Sequence, residues 1–330
     1  MTEKRIRFLQ EKFHELIEEI RSVIIGHEEV IKQVLIGLLC GQHLLLEGVP
    51  GLGKTLLVRT LGKALGLKFA RIQFTPDLMP ADIIGTRILV EDETGRRHFE
   101  FARGPIFAHL ILADEINRAT PKTQSALLEA MQERSITVSG ETYQLEEPFM
   151  VLATQNPIEM EGTYPLPEAQ IDRFFFKIML RYPSLGELEE ILRRHGGVQE
   201  ARAVRQVLTR EELLEAQRLV AQWPTASPLR RYAARLVYAT QPASEDAPEL
   251  VKKYVEYGAS PRAALALIWG AKAHAFLSGE LNTRVADIQA VFYPSLIHRI
   301  IRNFRGEAEG IPVDQILRQV YEHIQPTEAR

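Results

Sequence analysis

Between a short apolar run and a stretch of helical period lies Gly48-Val49-Pro50-Gly51-Leu52-Gly53-Lys54-Thr55. The spacing is G-x-x-x-x-G-K-[ST], which constrains a fold more narrowly than any other feature of this chain. His43–Glu47 (HLLLE) reads as a buried strand, and Thr55–Leu65 has a helical period. A strand, a glycine-rich turn and a helix in that order aim backbone N–H groups and a helix N-terminus at one point, which favours a phosphate. On this reading Gly48–Thr55 cradle nucleotide phosphates, Lys54 reaches the β- and γ-phosphates, and Thr55 binds Mg²⁺. The alternative is a glycine-rich turn with a chance lysine, and the flanking strand and helix weigh against it.

Further short apolar runs follow at Lys68–Phe74, Leu110–Ala113, Met150–Thr154 and Phe174–Met179, most of them separated by helical stretches. Two helices precede the loop. One carries Leu9, Phe13, Leu16, Ile17, Ile20 and Ile24 on a single face and ends at Gly26; the other covers about Glu28–Cys40. Strands alternating with helices predict a parallel sheet with helices on both faces. Two segments interrupt the alternation. Arg87–Phe101 has β-rich arms around Asp92-Glu93-Thr94-Gly95, and Ser135–Glu146 has them around Ser139-Gly140-Glu141. Both read as hairpins inserted into an α/β core, either as plain edge strands or as protruding functional arms. Beyond Pro183 the strand signals stop. Helical period dominates from Leu185, with breaks at Gly196-Gly197, Pro224–Pro228, Pro242–Pro248, Gly258–Pro261 and Pro294. The expected organisation is an α/β domain over 1–183 and an all-helical domain over 184–330.

Composition supports two ordinary domains. The chain has 330 residues, 45% hydrophobic and 25% charged, which excludes disorder throughout and fibrous repeats. Its 40 basic and 43 acidic residues leave a net charge of −3, so there is no global attraction to nucleic acid or anionic membrane. Cys40 is the single cysteine, which excludes an internal disulfide and a Cys-rich metal site; its apolar neighbours suggest an inert buried thiol. The longest run without acid, Lys or Arg, Gln33–Leu46, is too short for a membrane span of about 20 residues. The first residues are charged throughout, unlike a signal peptide. A cytoplasmic location is expected.

Five further residues carry candidate chemistry. Ile111-Leu112-Ala113-Asp114-Glu115 is an apolar strand ending in two acids. Asp114 suits Mg²⁺, directly or through water, and Glu115 suits the general base that polarises an attacking water; two surface acids are the alternative. Asn156, after the apolar run VLATQ, is a neutral amide able to orient that water and sense the γ-phosphate, or else an ordinary turn residue before Pro157. Arg173, just before the fifth strand, suits an arginine finger for a neighbouring subunit, or a solvated surface arginine. Arg262 follows Ser260 and Pro261, a good N-cap and first helical residue. A cation there opposes the helix dipole by about 0.3–1 kcal/mol unless a phosphate lies nearby.

In this order the motifs resemble those of the AAA+ ATPases, specifically the MoxR family. VIIGHEEV, GVPGLGKT, GPIFAHLILADEINRATPKTQSALLEAMQE, LATQNPIEMEGTYPLPEAQIDRF and GASPRAAL carry the resemblance, which spans most of 20–300. It implies a five-stranded parallel AAA+ core sheet with a C-terminal helical lid. It also implies a helix-2 insert at about 87–101 and a pre-sensor-1 hairpin at about 135–146. By the same resemblance Gly48–Thr55 are Walker A, Asp114 and Glu115 Walker B, Asn156 sensor 1, Arg173 the arginine finger and Arg262 sensor 2. Ile24, Ile25 and Gly26 would contact adenine. Gln73 is a candidate to restrain Glu115, and Asn117 and Arg118 either face the next subunit or begin the following loop. His109 departs from the asparagine of many members, which leaves the nucleotide site intact. Also implied are ATP/ADP and Mg²⁺ as cofactors, a homo-hexameric ring, a separate von Willebrand factor A-domain partner, and a protein client that is remodelled, matured or loaded with metal. A metal-chelatase motor subunit and a slow nucleotide-gated scaffold stand as alternatives. The first hairpin tip, Asp92–Arg97, is mixed in charge and the second, Ser139–Gln144, carries only an acid, which argues against a DNA motor.

Overall fold

The computed structural model describes residues 2–93, 95–157, 162–195 and 203–326. Along the chain, helices α1 (Glu3–Arg21) and α2 (Glu28–Leu39) lead to β1 (Leu44–Glu47). Then come α3 (Lys54–Ala64), β2 (Phe69–Gln73), the short α4 (Pro80–Ile84), and a hairpin of β3 (Gly85–Glu91) and β4 (Arg97–Arg103). β5 (Leu110–Asp114) and α5 (Pro121–Glu133) precede a second hairpin, β6 (Ser135–Val138) and β7 (Glu141–Gln144). β8 (Met150–Gln155), α6 (Glu168–Ile171) and β9 (Phe176–Met179) complete the α/β part.

The five expected core strands form one sheet in the order β2-β5-β8-β1-β9, parallel throughout. Their near-continuous apolar sequences follow from burial on both faces. Alternate residues point to opposite sides. Leu44, Leu46, Leu112, Leu152, Phe176 and Ile178 join one core with α1–α3 and the C-terminal helices. Leu45, Ile111, Ala113, Val151 and Ala153 join a second core with α5 and the hairpin bases. α1 stops at Arg21, before the end of its apolar period; Ile24 is still buried, in the turn that follows.

The two insertions are hairpins, and they touch. Arg87 donates to Glu141 at 2.6 Å, and Phe101 stacks on Tyr143 with ring centroids 4.4 Å apart. Ile88, Leu89 and Phe99 on the first hairpin are exposed.

The C-terminal part is helical: α7 (Leu185–His195), α8 (Arg210–Ala221), α9 (Ser227–Tyr238), α10 (Glu249–Tyr254), α11 (Pro261–Leu277), α12 (Val285–Leu296), α13 (Phe304–Ala308) and α14 (Val313–His323). One addition is a small antiparallel ribbon of β10 (Val255–Tyr257) and β11 (Ile301–Arg302). Its strands are two and three residues long, too short to show a period in sequence, and it is closed by the Asn303 N–H donating to the Tyr254 carbonyl at 2.9 Å. α11 lies against β9 at Gly270, where a Cβ would fall 2.8 Å from the Phe176 ring. Gly196-Gly197, Thr94 of the first hairpin turn and residues 158–161 lie outside the described residues. Among the described residues no helix is long and apolar enough to cross a membrane.

His43 shows how the strand starts are locked. It is buried just before β1, accepts the Val151 N–H at Nδ1 (3.0 Å), and reaches the Met131 carbonyl with Nε2 at 2.9 Å. Burial pushes its pKa down to about 4, so it is the neutral ring that ties β1, α5 and β8 together.

Candidate active site

β1 ends at Glu47 and the chain turns through Gly48–Gly53 into α3. Gly51 and Gly53 have φ of +85° and +77°, and a Cβ at either would meet nothing within 4 Å. Left-handed backbone, rather than space, is what requires glycine there. Gly53 is the N-cap of α3, with no side-chain cap and no acid in the first turn. The first N–H groups of α3 and its dipole are therefore open to an anion. Lys54 is 9% exposed and its Nζ donates to the Gly48 carbonyl at 2.9 Å. Burial lowers its pKa, while the charges of Asp114 and Glu115 act the other way. Thr55 is the next residue of the same first turn. Beside the loop, Ile24, Ile25, Leu56, Pro183 and Ile191 line an apolar cavity of about 190 Å³ that also touches Gly51–Gly53. Gly26 faces the adjoining cleft; a Cβ there would meet Glu187 Oε1 at 2.3 Å.

The acids stand at the end of β5, level with the loop because β5, β8 and β1 are in parallel register. The Thr154 hydroxyl organises both. It donates to Asp114 Oδ1 at 2.7 Å and accepts the Glu115 N–H at 2.8 Å. Arg71 donates through Nη2 to Asp114 Oδ2 at 2.7 Å. Glu115 has φ of +56°, a left-handed conformation that costs a non-glycine residue about 1–3 kcal/mol and turns its carboxylate off the strand axis. Glu115 Oε2 accepts from Gln73 Nε2 at 2.9 Å and from Arg118 Nη1 at 3.0 Å. Asn117 is buried in the same 3₁₀ turn as Arg118. Asn156 follows β8, and it too is buried. The residue before it, Gln155, accepts the Gly48 N–H on its carbonyl at 3.3 Å.

These donors fit the groups the sequence pointed to. Among the described residues no three His, Cys, Asp or Glu side chains gather as a protein-only cage. A hydroxyl and a carboxylate beside a phosphate-binding loop are the hard oxygen donors Mg²⁺ takes when phosphates and water complete its shell. The Arg71 side chain is 47% exposed, so it can leave Asp114 without a large desolvation change.

Arg173 and Arg262 are brought together, but away from the loop. They line a cavity of about 270 Å³ with His43, Arg134, Trp269 and Arg299. Arg173 belongs to the lead-in of β9, where the Phe175 N–H donates to the His43 carbonyl at 2.9 Å. Arg262 opens α11, and its Nη1 lies 3.3 Å from Asp172 Oδ2. This cavity sits where β1 and β9 begin, whereas the glycine loop sits where β1 ends. At about 3.3 Å per residue the strand separates them by roughly 10 Å before either loop is counted. Cys40 is only partly buried; its Sγ lies 3.3 Å from the Trp269 carbonyl, and desolvation raises the thiol pKa.

Arg71, Thr154 and the Asp172–Arg299 pair escaped the sequence reading. Arg71 lies two residues before Gln73 on one strand and so shares its side of the sheet, a signal that was available. Thr154 had none beyond lying two residues before Asn156. Replacing the fully buried Thr154 by valine leaves the Glu115 N–H without its acceptor and removes a donor from Asp114. Urea unfolding should show a loss of about 1–3 kcal/mol for Thr154→Val and a much smaller one for Thr154→Ser. Equal losses in the two variants would mean that the hydroxyl does not brace the acids.

Residues 43–176 match the family model described as the ATPase family associated with various cellular activities (AAA), and residues 247–320 match the AAA lid domain. The chain is 44% identical to the chaperone MoxR1 of Mycobacterium tuberculosis over 93% of its own length and 80% of that protein. It is 41% identical to the uncharacterized protein YeaC of Bacillus subtilis, over 94% and 95% of the two chains. Protein MoxR of Paracoccus denitrificans is 33% identical over 88% of each. A solved protein structure from Cytophaga hutchinsonii superposes with a TM-score of 0.92 at 44% identity, covering 99% of this chain and 98% of that one. With its five-stranded parallel core, its helical lid and these relatives, the chain belongs to the MoxR family of AAA ATPases.

Proposed function

We propose that this chain hydrolyses ATP in a Mg²⁺-dependent reaction, within a homo-hexameric ring, to remodel a partner protein. Its parts on this reading are an AAA+ core over 1–183 and a helical lid over 184–330. The observation that carries the proposal is the separation of two charged clusters on one sheet: loop and acids at the strand ends, Arg173 and Arg262 at the strand starts. A chain so built presents each half-site to a different neighbour.

The roles follow from position. Gly48–Thr55 hold the phosphates through backbone N–H groups and Lys54, and the cavity beside Ile24, Ile25 and Gly26 takes the base. Thr55 and Asp114 would hold Mg²⁺, which when bound would supply neutralisation of the phosphates' negative charge. Glu115 accepts the proton of the attacking water once Gln73 and Arg118 release its carboxylate, and Asn156 orients that water. Arg173 and Arg262 reach the γ-phosphate of the neighbouring subunit's nucleotide. The joined hairpins, with Ile88, Leu89 and Phe99 exposed, pass the motion to a client. The likeness to a protein named as a chaperone supports a remodelling role, and a separate von Willebrand factor A-domain protein is the proposed partner. The absence of a membrane-spanning helix among the described residues accords with work in the cytoplasm.

Binding and hydrolysis should separate by mutation. Lys54→Ala should weaken ATP binding, whereas Glu115→Gln should retain binding and stop turnover, measured with a fluorescent nucleotide and a phosphate-release assay. Hydrolysis by Glu115→Gln at the wild-type rate would remove Glu115 from the mechanism.

Arg173→Ala and Lys54→Ala rings should each be nearly inactive, since losing an arginine finger costs about 10³–10⁵ in rate. Mixed under subunit exchange, they should recover activity, because some interfaces pair an intact loop with an intact finger. With exchange confirmed, a rate no higher than the sum of the separate rates would contradict the shared site.

A further inference from the structure

Arg299, just beyond α12, is 6% exposed, and its guanidinium bonds are directed mainly at the segment that carries Arg173. Nε donates to Asp172 Oδ1 at 2.8 Å. Nη2 donates to the carbonyls of Asp172 at 3.0 Å and Phe174 at 2.7 Å. Nη1 donates to the Phe175 carbonyl at 3.3 Å and to the Ser295 carbonyl, which anchors it to its own helix. His298 adds a contact from Nε2 to the Phe174 carbonyl at 3.0 Å. Two consecutive lid residues thus hold Asp172, Phe174 and Phe175, on both sides of Arg173 in the lead-in of β9. Burial lowers the Arg299 pKa and the Asp172 charge opposes that shift. A planar fork with five donors can serve these five acceptors at once, which a lysine cannot.

Asp172 is a shared acceptor with two kinds of partner. Arg299, with a 2% exposed side chain, holds it at 2.8 Å, and the Ser260 hydroxyl donates to the same oxygen at 2.8 Å. Arg262 reaches the other oxygen at a longer 3.3 Å, and its side chain is 50% exposed. An exposed ion pair of that length is weak, whereas a buried, multiply bonded one is hard to break. Arg262 can therefore leave Asp172 while Asp172 keeps its charge partner.

We propose that Arg299 is a positioning residue that fixes Arg173 for presentation to the neighbouring subunit, with Asp172 serving as the station from which Arg262 departs to the same phosphate. Lid and finger then move as one body, so a lid displacement in one subunit is felt at the next subunit's nucleotide. This rests on the shared-site reading above.

The test is complementation by subunit mixing. Arg299→Gln rings should bind a fluorescent ATP analogue at their own loop as the wild type does, and hydrolyse ATP about 10²-fold more slowly, the cost of a misplaced reacting group. Mixed with Lys54→Ala subunits, which supply intact fingers, they should recover activity as Arg173→Ala subunits do. Mixed with Arg173→Ala subunits they should recover none. Arg299→Lys should fall between wild type and Arg299→Gln. If Arg299→Gln does not assemble, Asp172→Asn, which keeps size and one acceptor oxygen, carries the same comparison. Should Arg173→Ala recover with Lys54→Ala while the Arg299 and Asp172 variants do not, their defect lies in their own loop or fold, and the proposal is wrong. Should Arg173→Ala itself fail to recover with exchange confirmed, the shared-site reading falls and this inference with it.

Discussion

A parallel sheet has two unlike ends, and that polarity governs the rest of this molecule. All five core strands run the same way, in the order β2-β5-β8-β1-β9. The turns that follow the strands collect the glycine loop, Asp114, Glu115 and Asn156 at one end, where open α/β sheets bind their ligands. The turns that precede them collect His43, Asp172 and Arg173, joined by Arg262 from α11. No side-chain rearrangement brings these sets together within a chain, because β1 lies between them.

The strand starts carry an excess of positive charge, which the strand ends, whose two acids are already matched by cations, do not offset by themselves. At the strand starts Arg134, Arg173, Arg262 and Arg299 surround one cavity, with Asp172 as the acid in its lining. At the strand ends the two acids are held by Arg71, Arg118 and Gln73 through exposed or half-exposed side chains that can withdraw. A nucleotide triphosphate would add negative charge to the second end and create the anion that the first lacks. On the proposed reading, that complementarity is a head-to-tail contact, the kind that closes into a ring when its rotation permits. Arg299 would then carry the state of the lid into the contact.

Much of this was legible in the sequence, for physical reasons. The phosphate loop needs glycine at two positive-φ positions and a lysine at the helix start, so chemistry fixes letters at fixed offsets. The core strands announce themselves because burial on both faces leaves unbroken apolar runs. The hairpins were visible from β-rich arms around turn residues. What stayed hidden depends on tertiary approach. Thr154 is an ordinary strand residue until β5 brings Glu115 beside it. Arg299 is one arginine among many until the lid lays it against residues 172–175. The β10–β11 ribbon is too short for any period to appear. That Arg173 and Arg262 share a cavity, though 88 residues separate Arg262's neighbour Ser260 from Asp172, follows only from the docking of α11 on β9.

On the proposed reading one chain cannot complete its own site. ATP turnover per chain, measured against protein concentration with particle mass determined in the same samples, shows whether it can. Dilution to monomers should leave nucleotide binding at the loop in place and lower turnover per chain by about 10³ or more, the cost of losing the proposed finger. A monomer that hydrolyses ATP as fast, per chain, as the assembled ring would contradict that reading.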